Sequence, residues 1–152
     1  MGFRFSAIPI LITYVDSQGV NMKVIIAGTR TFDDYAYLCG KCQEILRGKT
    51  ITSILSGAAK GADEVGERYA RRCGYPVERF APEWDKHGKA AGPMRNRRMA
   101  AEADEAIVFW DGKSRGTKNM INEMALLNKP CHVVRYNSPA ATRDRGWNEV
   151  NR

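Results

Sequence analysis

The sequence predicts an α/β fold with three layers and a mainly parallel sheet of about five strands. Short apolar runs rich in β-branched residues alternate along the chain with amphipathic helical stretches. Several of these runs end in segments rich in glycine and hydroxyl residues. Because continuous apolar runs are typical of strands buried on both faces, this alternation indicates a parallel sheet covered by helices. The chain therefore reads as a single Rossmann-like domain.

The elements follow one another without an internal repeat or a linker. The predicted strands are Val24–Ala27, Ile51–Leu55, Val77–Phe80, Ala106–Trp110 and Cys131–Val134. The predicted helices run from a cap at Asp33 to Leu46, from Ala62 to Cys73, from Pro93 to about Ala103, and from about Thr117 to Leu127. Residues 81–92 are predicted to be an irregular loop.

Three regions are expected. Residues 1–21 read as an N-terminal extension, with an added edge strand as the alternative. Residues 22–137 carry the regular pattern and form the domain. Residues 138–152 read as a polar C-terminal tail.

Composition limits the classes of partner. The 152 residues suit one domain, and a net charge of +7 with a pI near 9.4 favours anionic partners. No segment approaches the roughly 18 apolar residues that span a bilayer, so we expect no membrane partner. The sequence leaves open whether the chain forms a homodimer.

The cysteines do not predict a metal or redox site. Cys39 and Cys42 have C-x-x-C spacing, but a closed zinc site needs two more ligands, and no second pair follows. The pair falls inside a predicted helix and not at its start, where a reactive thiol is expected. We expect free thiols, a reducing cytoplasmic compartment, no metal and no cofactor.

Three segments at predicted strand ends point to a phosphate site. They begin at Gly28, Ser56 and Asp111, and each precedes a predicted helix. Ligands of parallel sheets bind beyond the carboxyl ends of the strands, where glycine admits an anion and a helix N-terminus attracts it. None has the spacing of a dinucleotide G-x-G-x-x-G or a P-loop. The predicted ligand-binding residues are Gly28, Thr29, Arg30, Thr31, Ser56, Gly57, Ala58, Gly61, Asp63, Asp111, Gly112, Ser114, Gly116 and Thr117.

A basic segment adds to this site. Between Lys86 and Ala101 there are five basic residues and no acid. Arg95 and Asn96 are predicted in the first turn of a helix facing the same sheet edge, where a guanidinium can grip a phosphate bidentately. Trp84 either stacks on a base or closes the core.

These ordered motifs resemble those of one known family. The motifs Gly28-Thr-Arg-Thr-Phe, Ser56-Gly-Ala-Ala-Lys-Gly-Ala-Asp, Pro82-Glu-Trp and Gly92-Pro-Met-Arg-Asn-x-x-Met are similar to the YspA/YpsA-related branch of the SLOG superfamily. The resemblance covers roughly Lys23 to Asn137. It implies a Rossmann-like domain that binds nucleotides or nucleotide-derived ligands, among them ADP-ribose-like molecules, in bacteria or their phages.

The resemblance leaves catalysis open. The related Lonely Guy enzymes cleave the N-glycosidic bond of nucleoside monophosphates with an arginine of an R-K-x-x-M motif and a glutamate after a G-G-x-G-T loop. Arg95 and Met99 match the first motif, but Lys118-Asn-Met follows Gly116-Thr117 where the acid is expected, and Glu123 lies about one turn further on. Catalytic roles therefore fall to Arg95, with Asp63 or Asp111 as a substitute acid, although either aspartate can equally cap its helix.

Three functions follow, in order of preference. The first is binding of a nucleotide or nucleotide-derived phosphorylated ligand, as a sensor or a sequestering module. The second is an N-glycosidase acting on nucleoside monophosphates. The third, single-stranded nucleic-acid binding, is permitted by the charge but not favoured, because the sequence shows no obvious exposed stacking aromatics.

Overall fold

The computed structural model describes residues 21–137. The expectations for the N-terminal extension and for the tail at residues 138–152 lie outside the described residues. Asn21 is the exception, because it begins the first strand.

Within the described part, five strands alternate with helices. The strands are β1 (Asn21–Gly28), β2 (Thr50–Ser56), β3 (Val77–Arg79), β4 (Glu105–Trp110) and β5 (Cys131–Arg135). The helices are α1 (Tyr35–Ile45), α2 (Ala62–Cys73), the single turn α3 (Trp84–His87), α4 (Ala91–Glu102) and α5 (Arg115–Leu126), with a 3₁₀ turn at Gly88–Ala90.

The strands form one parallel sheet in the order β3-β2-β1-β4-β5. This confirms the predicted α/β class and the parallel sheet of five strands. The chain builds outward from β1 to β3 on one side and then returns to place β4 and β5 on the other. The order therefore reverses between β1 and β4, the place where ligands of open α/β sheets bind.

Two apolar layers sandwich the sheet. Side chains alternate along β1, so that Val24 and Ile26 face α1 and α2, whereas Ile25 faces α4 and α5. Met99 of α4 is fully buried on the second face. The three layers are thus helix, sheet and helix, as predicted.

Two predicted boundaries were wrong. The cap of α1 is Asp34, not Asp33, because the Asp34 carboxylate accepts a hydrogen bond from the Tyr37 N–H at 3.0 Å. Residues 81–92 are not an irregular loop, since they hold α3 and the 3₁₀ turn.

The helix predicted to open at Pro93 begins earlier. It starts at Ala91, which makes Pro93 the third helical residue. A proline is tolerated there, because the first N–H groups of a helix have no intrahelical acceptor. Arg95 and Asn96 consequently lie in the second turn of α4, whereas the sequence predicted them in the first turn.

The cysteines and the apolar segments of residues 21–137 can be placed. The four cysteines are free thiols, with Cys42 buried in α1 and Cys73 exposed. Burial raises the pKa of the Cys42 thiol to about 12. No helix in this part of the chain combines the length and apolarity needed to cross a bilayer.

Gly61 lets the loops after β1 and β2 meet. Its φ is +82°, and a Cβ there would overlap the backbone of Thr29 and Arg30. Gly74, at the end of α2, has a φ of +81° with no atom within 4 Å of a Cβ position. The two glycines share a φ but differ in ψ, which is -129° at Gly61 and 17° at Gly74, and in their surroundings.

We expect Gly61→Ala to lower the free energy of unfolding by about 3 kcal/mol, because backbone must move as well as adopt a strained conformation. Gly74→Ala should cost only about 1 kcal/mol, the penalty of the left-handed region. Urea denaturation of both variants measures the difference. Equal losses would show that the loops tolerate separation.

Candidate functional site

A cleft of about 290 Å³ lies beyond the carboxyl ends of the strands, at the reversal between β1 and β4. Four segments contribute to it: the ends of β1 and β2, the stretch from α3 into α4, and the start of α5. The lining residues are Ala27, Gly28, Arg30, Gly57, Ala59, Asp63, Trp84, Lys89, Gly92, Pro93, Arg95, Asn96, Met99, Ser114, Arg115, Gly116, Thr117, Asn119 and Met120.

In the first glycine-containing segment, residues 28–31, some residues line the cleft and others do not. Gly28 and the exposed Arg30 line the cleft. Thr29 does not, because it is buried and its hydroxyl accepts a hydrogen bond from the Asp111 N–H at 3.2 Å. Thr31 is exposed and lies outside the lining.

The second segment divides in the same way. Gly57 and Asp63 line the cleft, whereas Ser56, Ala58 and Gly61 do not. Ser56 is buried with 1% of its surface exposed, and its hydroxyl bonds inside the protein. The predicted loop is therefore present, but its hydroxyl group does not face the cleft.

Gly57 makes room for two charged groups. A Cβ at this position would lie 2.7 Å from Nη1 of Arg95 and 2.8 Å from Oδ2 of Asp63. Both side chains close over the residue, so any larger residue displaces one of them. The close approach of Arg95 and Asp63 thus depends on a glycine.

Asp63 is the one carboxylic acid among the lining residues. It is 5% exposed, and its Oδ2 accepts a hydrogen bond from the Ala59 N–H at 3.2 Å. Burial raises the pKa of Asp63 to about 6, although the Ala59 N–H, Arg95 and Arg30 each act to lower it. Its protonation therefore changes just below neutral pH.

Arg95 is held by the protein. Its Nε donates to Oδ1 of Asn96 at 2.8 Å, and its Nη1 donates to the carbonyl oxygens of Gly57 and Phe80. Two of the three guanidinium nitrogens thus have acceptors among the described residues, and the expected bidentate grip on phosphate stays a prediction. Burial also lowers the pKa of Arg95. Nη2 remains for a ligand.

Asn96 connects Arg95 to α5. It is 6% exposed, and its Nδ2 donates to Oδ1 of Asn119 at 2.8 Å and to the Gly116 carbonyl at 3.3 Å. These bonds orient both amides. Because Oδ1 of Asn119 accepts from Asn96, the Asn119 amide is positioned to present its NH₂ group, a hydrogen-bond donor, to the cleft.

The third segment forms the N-terminus of α5. Oδ1 of Asp111 accepts the N–H groups of Lys113 and Ser114, at 2.8 and 2.9 Å, which turns the chain. Ser114 then caps the helix by accepting the Thr117 N–H at 3.3 Å. The helix therefore begins before Thr117, the predicted start.

This helix start faces the cleft. The N–H groups of Arg115 and Gly116 form no hydrogen bond with any residue of the described range. Ser114, Gly116 and Thr117 line the cleft as predicted sites, whereas Asp111 and Gly112 act in the turn and lie outside it. The result is a helix end with two available N–H donors.

Three polar or charged lining residues, Lys89, Arg115 and Asn119, were not predicted from the sequence. Lys89, in the 3₁₀ turn, and Arg115, the first residue of α5, raise the number of lining cations to four. Asn119 stands in the stretch after Gly116-Thr117 where the resemblance implies an acid, and no sequence pattern marks its amide as a binding group. The sequence did give a signal for two of them, because Lys89 lies within the basic segment and Arg115 within the segment that begins at Asp111.

Trp84 lies at the mouth of the cleft. It is 47% exposed, and its ring is 3.5 Å from the position of a Cβ on Gly92. It therefore does not close the core, the alternative considered from the sequence. Its ring is open to a ligand.

Glu123 does not reach the cleft. It is 8% exposed, packs between α4 and α5, and lies 3.6 Å from Nε of Arg97. The positions that line the cleft one turn earlier are Asn119 and Met120. A carboxylate at the place expected for a Lonely Guy enzyme is therefore missing from the lining.

Two comparisons place the chain. A family model described as the YspA, cpYpsA-related SLOG family matches residues 22–87. The gene 61 protein of Mycobacterium phage D29 is 33% identical over 108 residues, which cover 66% of this chain and 86% of the phage protein. No solved structure matches the chain. From its motifs, fold and relatives, this chain belongs to the YspA/cpYpsA-related family of the SLOG superfamily.

Proposed function

We propose that the cleft binds a nucleotide-derived ligand through its phosphate, and that the protein acts as a sensor or a sequestering module. The observation that carries the proposal is the charge of the lining, in which four cations surround one carboxyl group. Arg30, Lys89, Arg95 and Arg115 come from three of the four segments that form the cleft. Their convergence on one cleft suits an anion.

The phosphate is assigned to the start of α5. The free N–H groups of Arg115 and Gly116 lie where the helix dipole favours negative charge. Neither Arg30 nor Arg115 forms an ion pair with another residue of the range 21–137, so both are available to a ligand.

The size of the cleft and Trp84 support a mononucleotide. A volume of about 290 Å³ lies at the lower end of the range of small-molecule sites, roughly 300 to 1,000 Å³. The exposed indole of Trp84 offers a face on which a base can stack. A nucleoside monophosphate, or the corresponding part of an ADP-ribose-like molecule, fits this arrangement.

A second candidate function is N-glycosidic cleavage, and Asp63 favours it. A buried carboxyl group beside Arg95, inside the cleft, has the chemistry to stabilise an oxocarbenium-like transition state or to move a proton. Its pKa near 6 suits both roles. The sugar would then have to lie against α2 and not against α5.

We expect Arg115→Gln and Arg30→Gln each to weaken binding about tenfold or more, because each removes a charge-assisted hydrogen bond to phosphate. Isothermal titration calorimetry with the four nucleoside monophosphates, ADP-ribose and ribose 5-phosphate measures the loss.

Arg72→Gln is the matched control, since it removes the same charge from an exposed position in the last turn of α2, outside the cleft lining. Equal losses in all three variants would indicate a general charge effect. Absence of binding by every compound on the panel would overturn the proposal.

If the protein is a glycosidase, free base accumulates over many turnovers when it is incubated with a nucleoside monophosphate. Asp63→Asn and Arg95→Ala should abolish the release, whereas Glu123→Gln should leave it unchanged, because Glu123 lies outside the cleft. Chromatography of the released base gives the answer. If a ligand binds but no base is released, the protein binds nucleotides without cleaving them, and the glycosidase function is excluded.

We expect Asp63→Asn to stabilise the protein at pH 7.5. The pKa of Asp63 is higher in the folded chain, about 6, than its ordinary value of 3.8, so its contribution to stability is full below pH 4 and is lost as the pH rises through 6. This difference corresponds to about 3 kcal/mol at most.

Urea denaturation at pH 4.5 and 7.5 tests the expectation, with the larger gain at the higher pH. Glu64→Gln, which removes an exposed carboxylate of the same helix, should show no such gain. A variant less stable than the parent at pH 7.5 would mean that the ionised Asp63 stabilises the fold.

A further inference from the structure

A second buried carboxylate lies beneath the cleft and takes no part in the proposed function. Glu67 of α2 is 5% exposed and follows Asp63 by four residues, so the two side chains share one face of the helix. It does not line the cleft. Burying a carboxylate is costly unless it is paired, which calls for a partner.

The partners of Glu67 come from the sheet and from its own helix. Its Oε2 accepts a hydrogen bond from Oγ of Ser56 at 2.5 Å and one from Nε of Arg79 at 3.1 Å. Arg71, one turn further along α2, lies 3.6 Å from the other oxygen. Two arginines thus hold the carboxylate while it orients one hydroxyl group.

The orientation of the Ser56 hydroxyl group stabilises the turn at Ala58 and Ala59. Because the Ser56 hydroxyl has one hydrogen and gives it to Glu67, its lone pair is left to accept the Ala58 N–H at 3.0 Å. Ala58 has a φ of +62°, which a residue with a side chain rarely adopts. The next N–H, of Ala59, donates to Asp63 at 3.2 Å.

We propose that Glu67 is a positioning residue of the cleft, which acts through Ser56 to hold the turn that directs the Ala59 N–H at Asp63. The proposal rests on the proposed function only in so far as Asp63 serves that cleft. Three hydrogen bonds and the backbone between Ala58 and Ala59 link Glu67 to Asp63, without contact between Glu67 and a ligand.

The same placement gives Glu67 an electrostatic effect on Asp63. The charged groups that act on Asp63 are Arg95 from α4, Arg30 from the loop after β1, and Glu67 from α2. The two arginines lower the pKa of Asp63 and Glu67 raises it. Glu67 thus keeps the titration of Asp63 closer to neutral pH than the arginines alone would.

The test follows Asp63 without a ligand. In protein carrying ¹³C-labelled aspartate, the Asp63 carboxyl resonance is assigned with Asp63→Asn and titrated by NMR. In Glu67→Gln, which preserves the shape of the side chain and keeps one oxygen to accept from Ser56, we expect the midpoint to fall by about half a pH unit, as for charges one helical turn apart.

Glu64→Gln is the matched control, because it removes an equal charge from the exposed neighbour of Asp63. Its midpoint should stay within experimental error of the parent. An equal midpoint in Glu67→Gln and the parent, or an equal fall in both variants, would overturn the proposal.

A second measurement covers the mechanical part of the proposal. In Ser56→Ala, hydrogen exchange at the Ala58 and Ala59 amides should quicken about tenfold, because the turn loses its anchor. Unchanged exchange would refute the path through Ser56. Both readouts use the protein alone, so failure of ligand binding would leave them interpretable and would count only against the proposed function.

Discussion

The loops at the cleft edge of the sheet are held together by the hydrogen bonds of Thr29. Its N–H donates to the Phe109 carbonyl of β4 at 2.9 Å, and its carbonyl accepts the Ala62 N–H at the start of α2 at 3.1 Å. Its hydroxyl accepts the Asp111 N–H. One residue therefore joins the loops that follow β1, β2 and β4. These loops come within reach of one ligand because Gly28 and Gly61 let the backbones touch.

Holding the loops this tightly leaves charged groups buried in the wall of the cleft. Asp63 and Glu67 are each about 95% shielded, and the guanidinium of Arg95 is turned inward by carbonyl acceptors. Buried polar groups stabilise a unique arrangement only when every one has a partner. Asp63 is incompletely compensated, since burial outweighs its favourable contacts and raises its pKa. Carboxyl groups whose pKa is perturbed by burial in a cleft cluster at functional sites.

The sequence predicted the sheet, its parallel sense and the three segments at the sheet edge, because apolar runs and glycines report backbone geometry directly. It did not predict which way each side chain turns. Ser56 and Thr29 were expected to face the ligand, yet both hydroxyls bond within the protein, and no local pattern distinguishes these outcomes. Arg115 was missed because its place in the cleft depends on the cap at Ser114. This cap starts the helix before the predicted position, so that Arg115 is its first residue. Such choices depend on tertiary contacts between segments that are distant in the chain.

The position of the acid separates this chain from the glycosidases of its superfamily. Where a Lonely Guy enzyme is expected to carry its glutamate on the helix after the fourth strand, this cleft has Asn119 and Met120, while Glu123 is directed to Arg97. The one carboxyl group of the lining, Asp63, stands on α2, across the cleft from α5. If a phosphate binds at the start of α5, the sugar lies between the phosphate and Asp63. In that arrangement α5 binds the phosphate, and α2 carries the carboxyl group that any cleavage would use. Substitution of Asp63 would then remove the one carboxyl group of the described lining and leave the anion site at the start of α5 in place.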